Sequence, residues 1–287
     1  MGPRKPDGGH RPVGMMAARD YTQFMDIKPA ESGVFRKTYT LPYPDADAAG
    51  YLRLTALLNF LQVQAGDHTQ SLGFDYREHR DDGVFWVLSR LSVRFDSWPE
   101  WPCDLTVDTW AGRTKALFAI RDFRFGTDDQ GWCGRASSAW VILKARKPQR
   151  PEPWVKIYEQ VRPEEPLVEM PVALPHFEPH PDVVAMAEPM ARHSRGVKAD
   201  WEDIDMNGHV NNVNAVGWCL AQHEFSFLTR WRPALLEVNF LAEMFCDQGF
   251  QVLSEERPAL EGTRTFDYLV VRDEDQAPTL RLRISYR

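Results

Sequence analysis

The sequence has no CxxC pair, no glycine-rich phosphate loop and no apolar run near the ~20 residues that a membrane-spanning helix needs. Its four cysteines, Cys103, Cys133, Cys219 and Cys246, are scattered, which excludes a zinc knuckle or a disulfide scaffold and points to a reducing, cytoplasmic setting. A basic excess is also missing. The net charge of −7 and pI near 5.7 argue against a general nucleic-acid binder, whose affinity comes from neutralising phosphates. Residues 1–32 contain Arg4, Lys5 and Arg11 with no apolar stretch after them, so they read as a disordered leader, not a secretion signal. His68, His79, His176 and His180 have no ligand-like neighbours, so neither a metal nor a cofactor is expected.

What the chain does have is apolar material for real cores: 287 residues, 43% hydrophobic and 12% aromatic, enough for two units of ordinary size. Ten of its 21 prolines fall between Arg146 and Pro189. Proline fixes φ and removes a backbone donor, so this stretch reads as an extended connector. The expected organisation is therefore a leader (1–32), a first half (33–145), the connector (146–192) and a second half (193–287).

Each half reads as one helix followed by an antiparallel meander. In the first, Leu54, Leu57, Leu58, Leu61 and Ala65 recur at helical spacing within about Leu52–Leu72, and Phe60 and Val63 make the helix apolar almost all round. Strand-like runs follow at Val84–Phe95, Leu105–Trp110, Ala116–Phe125 and Ala136–Leu143. In the second, a helix is expected over about Asn211–Leu228, with strands near Leu235–Leu241, Phe250–Glu255, Arg264–Arg272 and Thr279–Tyr286. The repeat is visible residue by residue, because Asp47-Ala48-Ala49-Gly50-Tyr51-Leu52 lies over Asp205-Met206-Asn207-Gly208-His209-Val210 at a constant offset of 158. The second copy has Asn207 and His209 where the first has Ala49 and Tyr51, so polar chemistry is concentrated in one copy.

Asp203 to Asn212 gathers carboxylate, amide and imidazole groups just before a helix start, where unpaired backbone N–H groups favour a developing oxyanion. The residues alone serve equally well as a capping loop, with Asn211 or Asp205 holding the helix backbone. This segment, followed by Leu236-Glu237-Val238-Asn239-Phe240-Leu241-Ala242-Glu243, resembles the second-half signature of the acyl-acyl carrier protein thioesterases. First-half matches are Leu57-Leu58-Asn59-Phe60-Leu61-Gln62, Gln70-Ser71-Leu72-Gly73, Trp86-Val87-Leu88-Ser89-Arg90-Leu91, Asp108-Thr109-Trp110, Arg121-Asp122-Phe123 and Gly134-Arg135-Ala136-Ser137-Ser138-Ala139-Trp140.

The resemblance implies an α+β double hotdog: two tandem repeats, each a long helix wrapped by a curved antiparallel sheet. It implies a site of Asp205, Asn207, His209 and Glu243, with Trp98 opposite Glu243 in the first copy, and an acyl-tail pocket shaped by Leu54, Leu58, Leu61, Trp86 and Val87. Plant members have a cysteine directly after the glutamate, and here that residue is Met244, which excludes a covalent cysteine route at that position. Cys246 would share the face of Met244 if the strand ran that far. The implied mechanism is attack by water with Glu243 as general base, which calls for some desolvation of a carboxylate whose free pKa is roughly 4.3.

The implied partner is acyl carrier protein bearing a phosphopantetheine-linked chain, with no nucleic acid and no membrane span; whether two chains pair as a homodimer is left open. The basic run Lys144, Arg146, Lys147 and Arg150 is either a dock for that acidic carrier or a solvated linker. An acyl-coenzyme A thioesterase and a non-catalytic acyl-binding protein are the alternatives.

Overall fold

The structure is a computed structural model that describes residues 33–72, 83–151, 167–169, 174, 192–258 and 260–287. The leader, the charged stretch Asp75–Asp82 with His79, and most of the connector with His176 and His180 lie outside the described residues. The first copy contains β1 (Phe35–Thr40), α1 (Leu54–Ser71), β2 (Val84–Phe95), β3 (Asp104–Lys115), β4 (Phe118–Thr127), β5 (Gly131–Lys144) and the short β6 (Lys147–Gln149). The second contains β7 (Arg192–Lys198), α2 (Asn212–Leu220), α3 (Phe225–Arg230), β8 (Pro233–Phe240), β9 (Gly249–Arg257), β10 (Arg264–Arg272) and β11 (Pro278–Tyr286).

All strands join one antiparallel sheet in the order β1-β3-β4-β5-β2-β8-β11-β10-β9-β7, with β6 added to β5. The order is a palindrome of the two copies, which meet at β2 and β8. An offset of 145 carries Ser92 onto its partner Glu237 and converts the pair Arg90–Asn239 into Arg94–Leu235, so a pseudo-twofold axis passes between Ser92 and Glu237. The expected double hotdog is the architecture found.

Strand alternation turns Leu91, Val93 and Phe95 of β2, and Leu236 and Val238 of β8, inward onto the helices. There they merge with Leu57, Leu58 and Leu61 of α1 and Val213 and Val216 of α2 into one core shared by both copies. Gln64 clips α1 to the sheet, its amide donating to the carbonyls of Phe35 (3.0 Å) and Val107 (2.9 Å) and accepting from Tyr39 (2.8 Å). From the connector, Val168 donates to Ser137 Oγ (3.3 Å), and Leu174 is held by Asn239 Oδ1 (3.0 Å) and Arg281 (3.1 Å).

Two details differ from the sequence expectation. Val63 is exposed with Asn59 and Gln62, because the sheet wraps only part of α1. The expected single helix Asn211–Leu228 is two helices. Glu224 adopts an extended conformation that stops α2 from continuing into α3, and the break lets His223 bond the Tyr268 hydroxyl and stack on Phe227.

His68 is the buried histidine of α1, stacked on Phe35 and 2.8 Å from a guanidinium nitrogen of Arg121. Burial, reinforced by the Arg121 charge, pushes it down to about 3. The folded state therefore holds it neutral while the unfolded chain protonates it below roughly 6.5. Its contribution is fully present above that pH and is lost progressively as pH falls toward about 3. Denaturant midpoints of His68→Gln should fall less steeply than those of the parent between pH 6.5 and pH 4; parallel slopes would contradict this assignment.

Candidate active site

The two loops preceding the helices are built alike. In each a 3-10 turn, Tyr43–Asp45 or Trp201–Asp203, leads into a tight turn with a glycine at positive φ, Gly50 at 83° and Gly208 at 80°. Asp47 Oδ1 accepts from the backbone N–H of Ala49 (2.8 Å) and Tyr51 (3.1 Å), and Asp205 Oδ1 from those of Asn207 (2.8 Å) and His209 (3.3 Å). Since Asp47 shapes the same turn where no polar chemistry follows, these bonds of Asp205 are architecture. They also take up the N–H groups of Asn207 and His209, and Gly208 N–H goes to the Asp205 carbonyl. Of the capping alternatives, Asn211 does cap α2, accepting from Val213 N–H at 2.9 Å. The side chains of Asn207 and His209 are donors that this loop can turn toward a ligand.

What surrounds each loop separates the copies. Leu52 N–H binds the carbonyl of Pro99 and Val210 N–H that of Met244, which makes Trp98 the counterpart of Glu243 at the offset of 145. Trp98 is buried, stacked on Phe95 at 4.2 Å and bonded to the carbonyl of Pro233 (2.9 Å). Arg232 closes the same side, donating to Asp47 Oδ2 at 2.7 Å and lying over the Tyr51 ring at 4.5 Å. At the offset of 145 its counterpart is Val87, which has no charge to offer Asp205. The first loop is thus plugged by an aromatic ring and an arginine.

In the second copy Glu243 Oε1 lies 3.8 Å from His209 Nε2, with the two side chains 48% and 34% exposed. That separation is too long for a direct hydrogen bond but lets one water touch both groups at normal distance. Asn207 Nδ2 is 3.4 Å from Asp205 Oδ2. Glu243 stands in a loop, because β8 ends at Phe240 and not at Leu241. Past that point alternation no longer governs direction: Met244 is buried while Cys246 is exposed, so the expected shared face does not exist. Two neighbours that sequence reasoning missed hold this loop. Phe245 meets the His209 ring edge-on at 5.0 Å, and Arg272 donates to the Glu243 carbonyl at 3.2 Å.

A small, partly open cleft lies between α1, α2 and the first-copy sheet. Its walls include Leu58, Leu61, Leu88, Leu91, Phe123 and Trp140, with Val213, Val216 and Phe240 closing the second-copy side. Ser138 also lines it, but its hydroxyl is taken up by the Arg121 carbonyl and Trp140 Nε1, so the interior is apolar. Asn212, three residues from His209, and Phe240, three from Glu243, bring the cavity to the polar loop. Of the five expected tail-contacting residues, Leu58 and Leu61 line it. Leu54 is buried in the core; Trp86 and Val87 are not in the lining, and Trp86 packs with Trp140, Leu72 and Ala111 around Ala119.

Residues 32–156 match the family model "acyl-ACP thioesterase N-terminal domain" and residues 187–286 match "acyl-ACP thioesterase C-terminal domain". The chain belongs to the acyl-ACP thioesterase family. Among curated members, the chain is 28% identical to the chloroplastic palmitoyl-acyl carrier protein thioesterase of Gossypium hirsutum over 77% of its own length and 54% of that protein. It is 25% identical to the corresponding enzyme of Cuphea hookeriana, over 88% of its own length and 62% of that protein. It thus spans 54–62% of the curated relatives that it matches first. The crystal structure of an acyl-ACP thioesterase from Bacteroides thetaiotaomicron superposes with a TM-score of 0.75 at 23% identity, covering 90% of this chain and 99% of that one.

Among the described residues no group of three or more His, Cys, Asp or Glu is arranged to hold an ion. All four thiols are free, and no described helix is long and apolar enough to cross a membrane. Trp98 stands opposite Glu243 as the resemblance implied, whereas Arg232 was not visible in advance, because its counterpart follows the offset of 145 and not that of 158.

Proposed function

We propose that this protein hydrolyses acyl thioesters carried on acyl carrier protein, releasing free fatty acid and the carrier thiol, in the cytoplasm. The observation that carries this reading is the His209–Glu243 pair, 3.8 Å apart, present only in the copy whose counterpart loop is plugged and set beside an apolar cavity. Water held by both groups loses a proton to Glu243 as its oxygen bonds to the thioester carbonyl carbon. Asn207 and His209 donate to the carbonyl oxygen as it becomes anionic. The C–S bond then breaks, and the proton on Glu243 passes to the departing sulfur. Asp205 fixes the backbone from which both donors project. Glu243 is half-exposed, so the covering that strengthens these interactions is supplied by the bound thioester and its arm.

Incubation with carrier thioesters and coenzyme A thioesters of matched chain length tests the assignment. Higher kcat/KM on the carrier form supports it; equal or higher values on coenzyme A, or no acid from either, overturn it.

The cavity sets the acyl preference on this reading. Trp140 lines it and, like Trp86 and Leu72, packs against Ala119, so its ring is a large, removable part of the wall. Trp140→Ala should move the preferred substrate to longer chains and raise kcat/KM for them relative to the parent's best substrate by roughly tenfold, at a stability cost of about 3–5 kcal/mol. An unchanged chain-length profile in a folded variant would place the tail elsewhere.

A further inference from the structure

Five exposed cations crowd one end of the first-copy sheet. Lys144, Arg146 and Lys147 form the tip of the β5–β6 hairpin, Arg150 follows it, and Lys115 ends β3 at the neighbouring β3–β4 turn. Among the described residues none of the five has an ion-pair partner, in a chain whose net charge is −7. Both hairpin tips are strained: Ala116, Ala145 and Arg146 have φ of 55°, 51° and 60°, where glycine or asparagine is the usual choice. Exposed Leu117 and Phe85 lie among these charges.

The register puts this end on the same side of the β2–β8 seam as the C-terminal end of β8, from which the chain runs on to Glu243. Lys144 pairs with Val84 at the start of β2, and β2 runs antiparallel to β8, whose last residues lead to Glu243. Laterally, β5 is two strand spacings from β8, about 10 Å. On the other side of Glu243 the exposed groups are acidic: Asp200, Glu202, Asp273 and Glu274, together with Asp247 paired to Lys198 and Asp275 paired to Arg272. The site mouth therefore lies between a basic half and an acidic half.

We propose that the acidic acyl carrier protein docks on the basic end formed by Lys115, Lys144, Arg146, Lys147 and Arg150, and is turned away from the acidic half. This rests on the functional reading above and adds the direction of approach: the carrier sits over the first copy and its arm reaches across to Glu243. Charge complementarity of this kind steers encounter and fixes orientation.

The test compares an acyl-carrier thioester with an acyl-pantetheine thioester of the same chain. Lys115→Glu/Lys147→Glu should raise KM for the carrier substrate roughly tenfold and leave the pantetheine substrate unchanged, and added salt should raise the parent's carrier KM alone. Glu274→Lys, on the acidic side, should lower the carrier KM. Arg94→Glu, ten residues along β2 from Val84 and so about 33 Å away, should have no effect. Ala145→Gly should raise Tm with KM unchanged, whereas Arg146→Gly should raise Tm and also raise the carrier KM. If the parent hydrolyses the carrier thioester but the double reversal affects both substrates equally, or Arg94→Glu matches it, the docking surface is wrong. If the parent does not hydrolyse the carrier thioester, the functional reading itself fails.

Discussion

Glu243→Gln should fold like the parent and lose about 10²- to 10⁴-fold in kcat with little change in KM, the range that removal of a general base produces. The amide keeps the shape of the carboxylate and can still touch the water that Glu243 and His209 share, but it cannot take the proton. Stability should be nearly unaffected, because the side chain is 48% exposed and lies 3.8 Å from His209, beyond hydrogen-bond distance. The loop itself is held by other bonds, from Val210 N–H to the Met244 carbonyl and from Arg272 to the Glu243 carbonyl. Retention of a tenth or more of the parent kcat would move the base elsewhere. A variant that loses activity together with its thermal transition would be uninformative about chemistry, so melting curves accompany the kinetics.

The second large effect comes from rewriting the second loop as the first. Asn207→Ala with His209→Tyr installs the residues that the first copy carries at Ala49 and Tyr51, on a turn held by the same two bonds to an aspartate. Because that turn already accommodates alanine and tyrosine, the double variant should fold. It should lose about 10³-fold in kcat, the scale of removing an oxyanion donor along with a water-holding group. The complementary change, Asp47→Ala, breaks the turn of the first copy and its contact with Arg232; it should lower Tm while leaving kcat within twofold. Activity loss in Asp47→Ala equal to that of the loop rewrite would mean that the first copy is part of the chemistry.

Much of this architecture is written locally. Period-2 alternation in β11, with Leu280, Leu282 and Ile284 inward, and the helical spacing of α1 are short-range patterns, and the offset of 158 exposed the duplication within six residues. The offset changes to 145 beyond the helices, because the first copy is longer there, and this is why the Arg232–Val87 exchange was not visible. The helix expected through Leu228 fails for a tertiary reason, the packing of the partly buried His223 against Phe227, Phe266, Tyr268 and Tyr286. Cavity walls were equally hard to name. Leu58 and Leu61 follow from their place on α1, whereas Phe123, Trp140, Val213 and Phe240 come together only when both helices and the seam are assembled. Direction after a strand end is also nonlocal: Met244 and Cys246 diverge because the backbone leaves the sheet at Phe240.

The most direct measurement is a single turnover of enzyme in excess over an acyl-carrier thioester in ¹⁸O-labelled water, with mass analysis of both the released acid and the protein. The account predicts one ¹⁸O atom in the free fatty acid, none in the peptide containing Glu243, and no acylated protein at any time. Label in the Glu243 carboxylate, an acyl adduct on the chain, or no fatty acid released would contradict it.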